Sequence, residues 1–221
     1  MQIRLMRPLA LVTLLLAAGV APALAQQGPP PGGGGGGGRP MMGPPLQLSS
    51  TAFGDSTMIP EKYTCVAAMG SGGGMGGMDP SKMTSPPLSW VNAPAGTKSF
   101  VLLLHDPDAH AAKSFDDITH WMIFNIPGDA TSLPEGVKAD STVGVQANNI
   151  ARSPSFFGPC APPGPVHHYT FELFALDSML DLQKGASRDD VEKAMDGHVL
   201  TGTVLIGLFH RTGGPGGPPP R

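Results

Sequence analysis

Four stretches of the chain carry apolar residues at strand length and are closed by Pro, Gly or Asp: Ser99–His105, His120–Ile126, Tyr169–Leu176 and Thr203–His210. Phe100 to Leu104 is apolar without a break, as expected of a strand buried on both faces. Alternation along HHYTFELFAL puts His167, Tyr169, Phe171 and Leu173 on the core face, and His168, Thr170 and Glu172 on the other. The same rule groups His120 with Met122, Phe124 and Ile126, His105 with Val101 and Leu103, and Asp106 with Leu102 and Leu104. One helix is signalled. Ser187 caps it, Asp190 stands at capping-box spacing, Val191, Ala194 and Met195 recur at helical intervals, and Gly197 stops it. Strands dominate and helical crossovers are few, which favours an antiparallel β architecture over a doubly wound sheet.

The flanks follow other rules. Arg4 and Arg7, the apolar Leu9–Val20 and the small-x-small Ala23-Leu24-Ala25 form a secretory signal peptide over residues 1–25, too short for a spanning helix. The mature protein is expected to be exported, periplasmic or extracellular, with no transmembrane segment. Residues 26–45 and 213–221 are nearly all Gly and Pro and read as a disordered tether and tail around a single domain, 46–212. Within it, residues 67–83 contain GSGGGMGGMDPSKM and read as a surface-loop insertion. The insertion carries Met69, Met75, Met78 and Met83, soft ligands suited to Cu(I), but no His or Cys stands among them, so low-complexity sequence is the better reading.

Composition narrows the partners. Removing residues 1–25 leaves 12 basic against 17 acidic residues, net −5, with no cluster of either sign. Nucleic acid and anionic membrane surfaces are poor partners for such a surface. The two cysteines, Cys65 and Cys160, are a disulfide candidate in an oxidising compartment.

Polar groups gather where the strands begin and end: Asp106 and Asp108, Thr119-His120-Trp121, and His167-His168-Tyr169. The residues alone leave three chemistries open. Histidines and a carboxylate can bind a transition metal, although no HxH or HExxH spacing is present. Two carboxylates can do acid–base work, although an i,i+2 pair leaves one of them a structural role. Histidines held by carboxylates can donate to an anion.

The motifs DPDA (Asp106–Ala109), HWMIFNIP (His120–Pro127) and GPCAPPGPVHHYTFELFALD (Gly158–Asp177) resemble the phosphatidylethanolamine-binding protein family, in particular its bacterial Raf kinase inhibitor-like branch. FGDSTMIPEKYTC, SPPLSW and GHVLTGTVLIGLFHR agree in the same order, so the likeness runs from about Leu48 to Arg211. It implies a mainly β fold, a large antiparallel sheet packed on a smaller one with a few peripheral helices. It also implies an anion pocket for phosphate or a phosphorylated head group. The family's pocket residues fall on Asp106, Asp108, His120, His167 and Tyr169, with backbone donors from the loop around Gly158. The two aspartates are then expected to orient both histidines and raise their pKa.

The chain departs from the family pattern in four places. His110 replaces the proline of DPDAP, Phe156 or Phe157 replaces a tyrosine, GPCAPPGPVHH spaces its prolines differently from the family's GPCPPxG near Gly158, and the insertion lengthens the link between KYTC and SPPLSW. The expectation is a non-catalytic, cofactor-free binding protein for a small phosphorylated ligand or phospholipid head group. The rivals are an envelope protein–protein regulator, such as a protease inhibitor with a protein partner, and a metal- or carboxylate-dependent hydrolase.

Overall fold

The computed structural model describes residues 43–69 and 77–211. The signal segment, all but the last three residues of the tether, residues 70–76 of the insertion and the 213–221 tail lie outside the described residues.

Among the described residues nine strands form two sheets. β1 (Gln47–Ser49), β3 (Leu88–Val91) and β6 (Ser132–Leu133) make a small sheet in the order β1-β3-β6. The large sheet runs β2-β9-β8-β4-β5-β7, built from β2 (Thr57–Met58), β9 (Val199–Phe209), β8 (His167–Leu176), β4 (Ser99–His110), β5 (Asp117–Pro127) and β7 (Val145–Gln146). Its pairings are antiparallel except that of the short β2, which runs parallel to β9. The architecture is the mainly β, two-sheet arrangement expected from the sequence.

The main core lies between the sheets. Leu48, Leu88, Trp90 and Leu133 of the small sheet share one buried cluster with Phe100, Leu102, Leu104, Phe171 and Leu173 of the large one. The Trp90 and Phe100 rings meet edge to face with centroids 5.3 Å apart. A second cluster on the far face of the large sheet joins Val101, Leu103, Met122 and Phe124 to Val191 and Met195 of α1 (Arg188–Met195). β4 is therefore sandwiched, which explains its unbroken apolar run. Each fully buried Leu, Val or Phe contributes about 1.5–3 kcal/mol by leaving water.

The helix begins as its sequence dictates. Ser187 Oγ accepts from the Asp190 backbone N–H, and the Asp190 side chain accepts from the Ser187 N–H. Gly197 then supplies the positive φ of 79° that ends it.

Cys65 and Cys160 form a disulfide across a sequence separation of 95 residues. In the chain-entropy view a closure of that length is worth about 4–5 kcal/mol. Its structural effect is local. It fastens the loop before β8 to the 3₁₀ turn Cys65–Ala68, where the Cys65 N–H also donates to Pro159 O.

Candidate functional site

β4 and β5 both run further than their apolar patterns, so Asp106 and Asp108 lie within a strand and not beyond its end. At this end of the large sheet the polar groups of β4, β5 and β8 come together around a cavity of about 440 Å³. Asp106, His120 and His167 line it; its other walls are apolar, among them Met78, Ile118, Ile150, Phe157 and Pro162.

His120 reaches the cavity by an irregularity. Leu104 pairs with Trp121 and the next β4 residue, His105, pairs with Thr119, so His120 is an extra residue on β5. Such a bulge turns two successive side chains to one side. Strict alternation would place His120 with Met122 and Phe124, but those two sit in the far-face cluster, and His120 packs on the inner side against Tyr169. This corrects the periodicity reading. The strand is re-aimed by one residue where the site is built.

Each imidazole is held by its Nδ1. His167 Nδ1 donates to Asp106 Oδ2 at 2.7 Å. His120 Nδ1 lies 3.1 Å from Phe157 O and 3.2 Å from Gly158 O. In both rings Nε2 is left for the cavity. The Tyr169 ring lies between them, 5.1 Å from His120 edge to face and 6.5 Å from His167 in a stack.

The expectation that both aspartates orient both histidines needs correction. Asp106 is 2% exposed and anchors the inner cluster: it accepts from His167 and from the Asp108 N–H at 3.0 Å. Asp108 faces outward and accepts from the backbone N–H and ring of His168, at 2.6 and 2.8 Å. Burial alone would raise the Asp108 pKa, but these bonds hold it below the usual carboxylate value.

His120 has no carboxylate partner. Burial pushes its pKa down from 6.5 to about 4, against the pull of Asp106 and the two carbonyls. The expected upward shift is therefore reversed, because desolvation of a fully enclosed ring outweighs a charge that is not in contact with it.

Gly158 and Tyr169 also sit differently from the sequence expectation. The Gly158 N–H donates to the Met83 sulfur at 3.2 Å and its carbonyl faces His120, so it offers no donor to the cavity. Glycine is required by close packing, since a Cβ there would stand 2.9 Å from the Thr64 carbonyl carbon. The Tyr169 hydroxyl is fully buried and accepts from the Cys160 N–H, while burial and nearby Asp106 push its pKa up. With the Phe157 N–H bonded to His120 O, the N–H groups of Phe157, Gly158 and Cys160 are all engaged within the protein.

The departures from the family pattern take definite places. Phe157 lines the cavity with its ring 5.7 Å from that of His120, while Phe156 packs edge-on against Trp121. His110 bonds Phe115 O within the β4–β5 hairpin. Met78, from the described end of the insertion, forms part of the cavity wall, and Met83 is buried beneath Gly158. Met78 and Phe157 draw notice in the sequence for other reasons, whereas Ile118 and Ile150 do not, because an apolar wall carries no motif. Among the described residues no three or more His, Cys, Asp or Glu side chains are grouped to hold a metal ion.

Comparison with known proteins gives a consistent picture. The family model described as phosphatidylethanolamine-binding protein matches residues 49–210. A UPF0098 protein of Methanothermobacter thermautotrophicus is 43% identical over 169 residues, which cover 75% of this chain and 99% of that one. A UPF0098 protein of Pyrococcus horikoshii is 38% identical over 168 residues, 73% of this chain and 75% of its own. Among solved structures, a Chlamydia trachomatis phosphatidylethanolamine-binding protein homologue superposes with a TM-score of 0.62 at 32% identity, covering 76% of this chain and 98% of that chain. Escherichia coli YbcL, described as a member of the mammalian PEBP family, gives 0.63 at 25% identity, covering 76% and 99%.

Proposed function

The chain belongs to the phosphatidylethanolamine-binding protein family, and from that premise we propose that it is an exported, non-catalytic binding protein that holds a small phosphorylated ligand or phospholipid head group at this cavity. The observation that carries the reading is the pair of imidazoles. His120 and His167 are both fixed through Nδ1 by acceptors of the protein, and both leave Nε2 for a ligand within largely apolar walls. A polar head would take the two ring nitrogens, and an apolar portion would lie on Met78, Ile150 and Phe157.

A binding role is also supported by what the walls lack. Among the described residues no Ser, Thr or Lys side chain lines the cavity, and the Cys160 sulfur is in a disulfide, so no hydroxyl, amine or free thiol nucleophile from them faces the space. Asp106, the carboxylate that lines the cavity, is engaged by two donors. Export rests on the leader of residues 1–25 and agrees with the disulfide.

Titration calorimetry of the mature protein with phosphoethanolamine tests the reading. Binding is expected to be lost when His120→Ala and His167→Ala are combined. Unchanged binding in the double variant would overturn it.

A further inference from the structure

The inner cluster constrains more than the position of a ligand. His120 Nδ1 faces two carbonyl oxygens, Phe157 O and Gly158 O, and a carbonyl can only accept. The ring proton therefore sits on Nδ1, and the neutral ring presents a lone pair at Nε2 to the cavity. Among the described residues no Lys or Arg side chain lines the walls, and the loop amides of Phe157, Gly158 and Cys160 are engaged elsewhere. An unprotonated phosphate oxygen brought to that nitrogen would meet lone pair with lone pair.

We propose that the cavity takes its anion together with one proton, shared between a ligand oxygen and His120 Nε2, so that the preferred ligand is a phosphomonoester bound with a single proton in place of a phosphodiester. This rests on the reading of the cavity as a phosphorylated-ligand site. The proton arrives either on the ligand, as P–OH donating to Nε2, or from water, giving Nε2–H donating to P–O⁻. Both routes give the same stoichiometry and break no other bond.

The surroundings of His120 agree. The groups acting on it are Asp106 and His105 from β4, His167 and Tyr169 from β8, and the two carbonyls of the preceding loop. Burial in this setting holds the free ring neutral down to about pH 4. A phosphomonoester loses its last proton near pH 6, so below that pH the ligand already carries the proton the site needs. Above it, affinity should fall about tenfold per pH unit, because each complex must collect a proton from solution. A diester has no P–OH and must always collect one.

The test combines two measurements on the mature wild-type protein. Nitrogen-15 NMR of the free protein is expected to show His120 protonated at Nδ1 and bare at Nε2 throughout pH 5–8. Calorimetry at pH 7.5, in buffers of differing ionisation enthalpy, is expected to show uptake of about one proton per phosphoethanolamine bound, less the fraction the ligand already carries. At pH 5.5 phosphoethanolamine should bind about tenfold to a hundredfold more tightly than glycerophosphoethanolamine, its diester counterpart. A protonated Nε2 in the free protein, binding without proton linkage, or equal affinity for the diester each overturns this proposal while leaving the cavity a phosphate site. Absence of binding by both ligands overturns the underlying reading as well.

Discussion

Two histidine–aspartate pairs stand back to back on this sheet, and they begin from neighbouring residues of β4. Asp106 points inward and holds the Nδ1 of His167 at 2.7 Å. His105 points outward, and its Nδ1 meets Asp117 Oδ2 at 2.5 Å. The chemistry of the two pairs is the same, yet only one adjoins a cavity lined by its imidazole. On the outer face Arg188 of α1 bonds Asp117 and also reaches Thr119 and Glu192, while His105 Nε2 is buried without a hydrogen bond, 3.7 Å from Glu172. A fixed imidazole becomes a ligand site when its second nitrogen opens on a space shaped for something else. On the outer face the second nitrogen of His105 is buried and opens on no such space, and the pair is structural.

The comparison is most directly broken by removing one carboxylate from each face. Asp106→Ala leaves the His167 ring and the Asp108 N–H without their acceptor in a buried place. A loss of about 3–5 kcal/mol of stability is expected. Asp117→Ala removes an acceptor that is more open to water and leaves Arg188 its bond to Glu192, so about 1–2 kcal/mol is expected. Urea unfolding at pH 7 measures both. Equal losses would show that the inner pair is no more central to the fold than the outer one.

The next prediction concerns the depth of the inner site. Folded His120 stays neutral to about pH 4, whereas in the unfolded chain it takes up a proton near 6.5. Between these values the unfolded state binds more protons, so this residue's contribution makes stability fall as the pH is lowered through the window. The full effect is about 3 kcal/mol between pH 6.5 and pH 4. His120→Gln keeps an amide to donate to the carbonyls and does not titrate, so its unfolding curves should lack that part of the pH dependence. A variant curve parallel to wild type across the window would show that the ring is not buried in its neutral form.

The sequence made one face of this comparison legible and hid part of the other. The apolar run from Phe100 to Leu104 marked β4 because nothing but a doubly covered strand accommodates it. Ser187 and Asp190 marked the helix start through a local hydrogen-bonding rule, and Cys65 had one cysteine to pair with. His167 could be aimed by alternation, since β8 runs regularly from His167 to Ala175 against β9. His120 could not, because the extra residue on β5 is a property of the pairing with β4 and leaves no mark on β5 alone. The division of labour between Asp106 and Asp108 was hidden for a related reason. Two residues apart on a regular strand, they should share a face, but the register is interrupted after Asp106, and Asp108 turns to His168. The short β1, β2, β6 and β7 have too few residues to show a period, and their partners define them.

The smallest expected effect sharpens the comparison most, because it changes the residue adjacent to Asp106. His105 gives one hydrogen bond to Asp117 and keeps a second ring nitrogen buried with no partner. His105→Leu would extend the apolar face of Val101 and Leu103, remove the unsatisfied nitrogen, and leave Asp117 paired with Arg188. The lost bond and the relieved burial oppose each other, and a net change within about 1 kcal/mol is expected. His105 does act on His120 across the strand, adding to the depression of its pKa, so its removal should raise that pKa slightly. Phosphoethanolamine affinity at pH 5.5 should stay within about twofold, since neither Nδ1 anchor of the inner imidazoles is altered. Calorimetry and urea unfolding of this one variant decide the matter. A tenfold loss of affinity, or a destabilisation equal to that of Asp106→Ala, would mean that the two faces of β4 work as one electrostatic unit and that the outer pair belongs to the site.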